Sequence, residues 1–281
     1  MQYDLQPGSD RRGFILGLAG ALVAAPTLAR ARGATLDLAR PEDAFTAMLR
    51  MQGRLDDRDS PWWYFGRIYG VVGDGSPRLL VRFEGLEIPR YTLSGPGEYA
   101  ATGVTTSYFQ DPWTKAVLTE FANPITGKTN LVKPNMIGGT ADPIVFYSVR
   151  GSRPARVKPA DWAYTAKNTW DFHGDTVWLS HDRVYPPGMP QPMGESSVGK
   201  ANLADVLDTA KAFVPASFSS TYFAPWPRWM EMAGQPGHVI WHADGIKLGS
   251  IDELPKDFRA RMEAQYPERL RALPYNPEKK A

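Results

Sequence analysis

Two near-copies of one turn, separated by a single short segment, constrain the fold of this chain more than any other feature. The first copy is Asp111-Pro-Trp-Thr-Lys, and the second, Asn123-Pro-Ile-Thr-Gly-Lys, begins twelve residues later. Asp or Asn before Pro starts a turn, because its side chain accepts hydrogen bonds from nearby N–H groups while proline presets φ. Between the copies lies AVLTEFA, in which Val117, Thr119 and Phe121 alternate with Leu118 and Glu120, and we interpret this as the period of a half-buried strand. This spacing predicts an antiparallel meander.

The same period of two continues along much of the chain and decides the predicted fold class. Alternating segments separated by Gly- and Pro-containing turns recur over 62–109 and 163–244. A series of short strands is typical of a barrel or a sandwich. Apolar residues at helical spacing mark 36–54 and 254–270 instead. We therefore predict a mainly β protein, an antiparallel, lipocalin-like β-barrel with an N-terminal and a C-terminal helix; the alternative is a β-sandwich.

The first 31 residues have the pattern of an export signal. The pair Arg11-Arg12 precedes an apolar run that reaches Leu28, and residues 29–31 supply a small-x-small cleavage site. The apolar run is shorter than the ~20 residues that a membrane-spanning helix needs. The paired arginines resemble a twin-arginine signal. We predict a signal peptide over 1–31, a single β-barrel domain over 32–281, periplasmic localisation, and no stable membrane insertion after cleavage.

Charge and composition exclude several classes of partner and cofactor. The 32 basic and 30 acidic residues are interspersed and give a net charge of +2, so we expect no nucleic-acid partner. The absence of cysteine excludes disulfides, thiolate nucleophiles and Cys-ligated metal clusters. Gly-rich phosphate loops and a Gly-x-Ser-x-Gly elbow are missing as well. We expect a protein that uses no cofactor.

Three residues near the C-terminus have the chemistry of metal ligands. His238, His242 and Asp244 would lie on one face of a strand, and two imidazoles with a carboxylate could bind a transition metal. The alternative is that His238 follows a turn in solvent and leaves His242 alone. No HExxH signature supports a metal centre. We therefore predict no metal site.

Several blocks together resemble the domain-of-unknown-function 1838 family. They are GLEIPRY, VTTSYFQDPWTKAVLTEFANPITGK, VKPN and FSSTYFAPWPRWMEMAGQPGHVIWHADGIKL. The family pattern carries Thr-Gly in both turns, whereas the first turn here has Thr114-Lys115. The resemblance implies an exported protein of bacterial or fungal type, spans nearly the whole chain after the signal, and implies no activity.

A polar turn and two neighbouring polar residues supply the candidates for catalysis. Asp171-Phe-His173-Gly-Asp175 places carboxylates around an imidazole, and a carboxylate can fix the tautomer of histidine and raise its basicity. The alternative is a solvated hairpin tip. Tyr108 and Arg90 are bulky polar residues beside apolar strands, and Arg90 could stabilise an anion. We predict His173, Tyr108, Arg90 and Asp171 as catalytic residues.

An aromatic and methionine-rich segment, 222–232, supplies the candidates for ligand binding. Five prolines and glycines between Pro225 and Gly237 favour a loop, and a loop this aromatic is typical of one that covers a cavity for a flat apolar ligand. The alternative is ordinary core packing. With polar and aromatic residues from neighbouring segments, the predicted substrate-binding set is Trp170, Asn135, Tyr222, Trp226, Trp229, Met232 and His242.

Two functions fit these residues. The first is a cofactor-independent lyase or isomerase that transfers protons on a small aromatic or apolar molecule held in a barrel pocket. The second is a periplasmic protein that binds such a molecule without converting it. The expected partner is in both cases a small hydrophobic or aromatic molecule, and a homo-oligomer is compatible with the sequence.

Overall fold

One antiparallel sheet of eleven strands dominates the described part of the chain. The computed structural model describes residues 35–155, 166–184 and 194–276, which belong to the compact unit Gly33–Ala281. The predicted signal peptide lies outside the described residues. No helix among the described residues is long and apolar enough to cross a bilayer.

The elements alternate between long strands in the main sheet and short strands near its edges. The helices are α1 (Pro41–Gln52), α2 (Leu203–Leu207) and α3 (Lys256–Gln265). The strands are β1 (Trp62–Val71), β2 (Arg78–Gly95), β3 (Glu98–Gln110), β4 (Glu120–Ala122), β5 (Thr129–Leu131), β6 (Asn135–Gly138), β7 (Val145–Ser148), β8 (Gly151–Pro154), β9 (Ala166–His173), β10 (Thr176–Val184), β11 (Gly194–Asn202), β12 (Ala216–Ala224) and β13 (His238–Lys247).

The main sheet curls into a half-barrel. Its order is β8-β7-β3-β2-β1-β13-β12-β11-β10-β9, with β6 also paired to β3. Pairing between β1 and β13 joins the first and last of the described strands at the centre of the sheet. The predictions of a mainly β, antiparallel, barrel-like fold with a helix towards each end are confirmed.

Strand β2 runs through a proline that would interrupt most central strands. Pro89 pairs with Gly103 of β3, but β1 ends its pairing with β2 at Glu87. The Pro89 carbonyl accepts a hydrogen bond from the Ser60 N–H at 3.3 Å on the side that β1 has left. The missing N–H of proline therefore faces no strand partner, and the ladder with β3 continues unbroken.

The paired turns form as predicted, and they have the same geometry. Asp111 Oδ1 accepts the N–H groups of the residues two and three positions later, and Asn123 Oδ1 does the same in the second copy. Strand β4 lies between the turns, and it pairs across the second turn with β5 to form a separate two-stranded ribbon. The predicted strand is shorter than expected, because β4 covers only Glu120–Ala122, whereas Leu118 packs on the core and donates its N–H to the Phe109 carbonyl at 2.9 Å.

Helices α1 and α3 pack on opposite faces of the half-barrel. Helix α1 begins at Pro41, and its buried residues Met48, Leu49 and Met51 contact the inner faces of β10 and β11. Phe258 and Met262 of α3 bury the outer face of β2 and β3. Helix α3 therefore covers the outer face of β2 and β3, whereas β12 and β13 have an exposed outer face.

Candidate functional site

The candidate site is the concave face of the half-barrel. Because side chains alternate between the faces of a strand, the register assigns every second residue to this face. Cross-strand partners there include Tyr64 with Gly85, Gly66 with Phe83, and Phe218 with Gly245. The inner face encloses a cavity of about 1820 Å³, which continues into a narrower one of about 250 Å³ next to α1. We call this combined space the lumen.

Aromatic and aliphatic side chains form most of the lumen wall. Three rings lie directly over cross-strand glycines: a Cβ at Gly85, Gly66 or Gly245 would come within 2.4, 2.5 or 2.3 Å of the ring of Tyr64, Phe83 or Phe218. Rings that lie flat on the sheet leave the centre of the lumen open. The other aromatic lining residues are Phe109, Tyr147, Tyr222, Trp229, Trp241 and Tyr266.

Polar groups meet where the wide and narrow parts of the lumen join. Glu87 and Glu195 line both parts. The hydroxyl groups of Tyr64 and Ser107 share a hydrogen bond of 2.7 Å. Burial raises the pKa of Tyr64, the Ser107 hydrogen bond opposes this rise, and the charge of Glu87 adds to it. Tyr64 is therefore a neutral phenol at physiological pH.

A histidine lies in the narrow part of the lumen. His181 is only 6% exposed, and its Nδ1 is 2.6 Å from Asn168 Oδ1. The amide nitrogen of Asn168 donates to the sulfur of Met48 at 3.0 Å, which orients its oxygen towards the imidazole. Nδ1 therefore carries the proton, and in the neutral ring Nε2 is the basic nitrogen.

A buried lysine caps α1 where the helix meets the narrow end of the lumen. Lys247 Nζ donates to the carbonyls of Arg50, Met51 and Gly53 at 2.7, 3.3 and 2.6 Å. Burial, together with the charges of Arg54 and Arg50, lowers the pKa of Lys247 to about 7. Because its hydrogens are directed at backbone carbonyls, this amine has a structural role at the C-terminus of α1.

Three of the predicted site residues line the lumen. Asn135, Tyr222 and Trp229 belong to its wall. Trp226 and Met232 lie in the loop between β12 and β13, as expected, but they are buried in the core beside the lumen. Trp170 packs against the core near α1. Trp226, Met232 and Trp170 therefore occupy positions that match the alternative of core packing.

Tyr108 lies on the opposite face of β3 from the lumen. It is 2% exposed, its ring packs edge-on against Phe258 of α3, and its hydroxyl donates to Gln265 Oε1 at 3.1 Å. Burial raises its pKa to about 12, with further effects from Tyr266 and Arg261. Its neighbours Ser107 and Phe109 line the lumen. Successive residues of a strand point to opposite faces, so Tyr108 lies outside the lumen although both of its neighbours line it.

The remaining predicted catalytic residues also lie away from the lumen wall. Arg90 forms ion pairs with Asp57 at 3.0 Å and Asp59 at 3.7 Å, and the hydrogen bond to Asp57 raises its pKa. His173 and Asp171 are exposed at the tip of the β9–β10 hairpin. Arg90 therefore belongs to a structural ion pair, and His173 and Asp171 belong to a solvated turn.

His242 lies on the exposed outer face of β13. Its Nε2 is 3.8 Å from Asp244 Oδ2, and Asp244 accepts a hydrogen bond from Ser219 at 2.6 Å. His242 is the register partner of Arg67 on one side and of Thr221 on the other. Among the described residues, no three potential ligands are arranged to hold a metal ion.

The residues that sequence reasoning missed are Glu87, Glu195, His181, Tyr64 and Ser107. One signal for Tyr64 and Ser107 was available, because both follow the period of two that also assigns Phe83 and Phe109 to a common face. No local pattern marks Glu87 or Glu195 as inward-facing, because their orientation depends on the direction in which the sheet curls.

The described residues thus form an antiparallel half-barrel with a large aromatic lumen on its concave face, and α1 lines part of the narrow end. The chain belongs to the family described as protein of unknown function (DUF1838), whose model matches residues 57–281. The predicted family membership is therefore confirmed. Neither a curated protein nor a solved structure matches the chain.

Proposed function

We propose that this protein binds a small, flat, mostly apolar molecule in the lumen. The observation that carries the proposal is the set of rings held flat over Gly85, Gly66 and Gly245, because it keeps a wide space open between aromatic walls. Ligand sites are typically concave, mostly apolar and supplied with a few polar groups. The tyrosine–serine pair and the two carboxylates are such polar groups.

A second candidate is a cofactor-independent lyase or isomerase acting at the same place. The observation that favours it is the presence of a histidine and two carboxylates in the lumen wall, since acid/base catalysis needs titratable groups beside the bound molecule. In this hypothesis His181 Nε2 and Glu195 transfer the proton, whereas His173 and Asp171 would need a separate site at the hairpin tip. The pattern of residues 1–31 supports a proposed periplasmic location for either function.

Binding can be tested with the purified chain from residue 32 and the fluorescent probe N-phenyl-1-naphthylamine. We expect Trp229→Ala to weaken binding by about tenfold or more, since loss of one large aromatic contact costs about 1.4 kcal/mol or more. Trp113→Ala is the matched control, because Trp113 is 81% exposed and is not part of the lumen wall. Tyr222→Leu provides a second test if Trp229→Ala unfolds. Equal affinity in all three variants and the wild type would rule out binding in the lumen.

Turnover can be separated from binding with a library of phenolic and terpenoid compounds. Incubation followed by mass spectrometry records both the bound compound and any product. The enzyme hypothesis predicts that Glu195→Gln keeps binding and loses product formation. If compounds bind and none is converted, the binding function stands and the enzyme hypothesis fails for those compounds.

A further inference from the structure

One residue from each of three neighbouring strands contributes to a hydroxyl pair on the lumen wall. Tyr64 of β1 is the register partner of Gly85 of β2, and Gly85 is in turn the register partner of Ser107 of β3. Because Gly85 has no side chain, the Tyr64 ring lies across β2, with its oxygen 2.5 Å from the place that a Cβ at Gly85 would occupy. The Tyr64 hydroxyl thereby reaches Ser107 Oγ at 2.7 Å. Both residues line the wide part of the lumen.

The hydroxyl pair has one hydrogen more than its mutual bond uses. If Tyr64 donates to Ser107, the Ser107 hydrogen is left over, and if Ser107 donates to Tyr64, the Tyr64 hydrogen is left over. Among the described residues, neither hydroxyl has another hydrogen-bond partner. Burial raises the pKa of Tyr64, so the phenol keeps its hydrogen near neutral pH. The pair therefore offers one hydrogen, which we call the spare hydrogen, to a molecule in the lumen.

The surroundings of the pair make the spare hydrogen important for binding. The pair borders the lumen but is otherwise enclosed by the wall, since Tyr64 and Ser107 are only 8% and 2% exposed. The ring of Phe83 packs edge-on against Tyr64, with the two ring centroids 6.1 Å apart. A ligand that covers the pair displaces the water that could otherwise accept the spare hydrogen. A buried donor without an acceptor is costly, so a purely apolar ligand binds less tightly there than one that supplies an acceptor.

We infer that the ligand carries an acceptor oxygen, such as that of a ketone or an ester, which binds the spare hydrogen of the Tyr64–Ser107 pair. These two side chains determine the specificity. Gly85 is a positioning residue, because it allows the phenol to reach across β2 to Ser107. This inference rests on the proposed binding function and names the class of ligand, a flat and mostly apolar molecule with a carbonyl group.

A matched pair of flat molecules tests the inference. 9-Fluorenone and fluorene have the same fused rings, and they differ only in a carbonyl group that replaces a methylene group. Displacement of N-phenyl-1-naphthylamine measures both affinities, and the quantity compared between variants is the ratio of fluorenone affinity to fluorene affinity. We expect Tyr64→Phe/Ser107→Ala to lower this ratio by about fivefold, because one hydrogen bond between neutral groups is lost.

Two further variants separate the hydroxyl pair from general effects of mutation. Gly85→Ala should also lower the ratio, because an added Cβ displaces the phenol although both hydroxyl groups remain in the chain. The control variant Tyr108→Phe/Ser219→Ala removes the same two groups from positions of β3 and β12 that do not line the lumen. It should keep the wild-type ratio.

The carbonyl stretching band of fluorenone provides a measurement on the wild type itself, which is decisive even if a variant unfolds. A hydrogen bond lowers the stretching frequency of a carbonyl group. Infrared difference spectra should therefore place the band of bound fluorenone below its position in an aprotic, apolar solvent.

The inference and the binding function fail in different ways. A band at its aprotic position, a ratio that is unchanged in Tyr64→Phe/Ser107→Ala or falls equally in the control, or no displacement of the naphthylamine by fluorenone would overturn the inference while the binding function stood. Failure of the naphthylamine and of both fluorene compounds to bind the folded wild type would instead reject the proposed function and the inference that rests on it.

Discussion

At the scale of single residues, the two copies of the turn differ where backbone conformation matters most. Lys115 and Gly127 occupy equivalent positions and have φ angles of 61° and 72°. Each donates its N–H to the carbonyl of the residue that starts its turn, Asp111 or Asn123. The left-handed conformation is unfavourable for a residue with a Cβ, so the first copy is the strained one.

We predict that Lys115→Gly stabilises the protein. Relief of the left-handed conformation outweighs the greater entropy of glycine in the unfolded chain, leaving a net gain of about 0.5–1 kcal/mol. The reciprocal variant Gly127→Ala should lose a similar amount, because a Cβ there meets no atom within 4 Å and only the backbone term remains. Urea unfolding measures both changes, and a loss of stability in Lys115→Gly would contradict the strain argument.

The buried amine of Lys247 should make the free energy of unfolding depend on pH. Its pKa is about 7 in the folded protein and returns to its usual range, about 10.4, on unfolding. Between these values the unfolded chain binds more protons than the folded one, so the free energy of unfolding rises with pH. The expected slope is up to about 1.4 kcal/mol per pH unit above pH 7.

The measurement is urea unfolding at several pH values from 6.5 to 9.5, below the range in which tyrosines titrate. Lys247→Met removes the titrating group and should flatten this part of the profile. Other groups contribute equally to both proteins, so the difference between the profiles isolates Lys247. Two parallel profiles would show that Lys247 keeps its proton in the folded state across this range.

At the scale of elements, glycines opposite aromatic residues set the width of the lumen. At Gly245 the three nearest atoms to an added Cβ all belong to the Phe218 ring, whereas at Gly66 the nearest is the His242 backbone oxygen at 2.0 Å. A side chain can rotate away, but a backbone carbonyl in the β1–β13 ladder cannot move without breaking pairs. The two glycines therefore have different functions, one in shaping the cavity and one in strand pairing.

We predict that Gly245→Ala moves the Phe218 ring into the lumen and weakens binding of N-phenyl-1-naphthylamine by about tenfold, with a stability loss of about 1–2 kcal/mol. Gly66→Ala should lose about 3 kcal/mol or more, because it disturbs the ladder between β1 and β13. Thermal melts and probe titrations on both variants test the comparison. If Gly245→Ala were less stable than Gly66→Ala, the Phe218 ring would be unable to rotate away from the added Cβ.

At the scale of the whole molecule, the half-barrel separates an inner face for binding from an outer face for stability. Residues Ser107 and Phe109 face the lumen, while Tyr108 between them is buried under α3. Helix α3 and the segment after it fasten this outer face: Arg269 donates to the carbonyls of Thr105 and Ile137, both at 2.8 Å. The C-terminal region therefore supports the wall from its outer face, and it also contributes Tyr266 to the lining of the lumen.

We predict that Tyr108→Phe leaves probe binding unchanged and lowers stability by about 1 kcal/mol, since it removes only the hydrogen bond to Gln265. His173→Ala should change neither binding nor stability by a measurable amount, because the residue is exposed at a hairpin tip. Probe titration and urea unfolding check both variants. A loss of binding or of turnover in either one would restore the original hypothesis that these residues are catalytic.

The local features of this protein follow directly from its amino-acid sequence. Turn residues with a fixed chemical preference placed the paired turns at Asp111 and Asn123, and helical spacing over 36–54 indicated α1, which begins at Pro41. The period of two identified the long strands, and the assembled motifs identified the family. These features depend on neighbours within a few positions, which is why they could be read directly.

The face of each strand that forms the site, in contrast, depends on the tertiary structure. Strands β2 and β3 are apolar on both faces, one covered by α3 and the other lining the lumen, so alternation alone could not distinguish Tyr108 from Ser107. The direction of curl depends on pairings such as β1 with β13, which join residues far apart in the chain. Those pairings place Glu87, Glu195 and His181 in the lining of the same cavity. Their proximity therefore could not be predicted from the sequence alone.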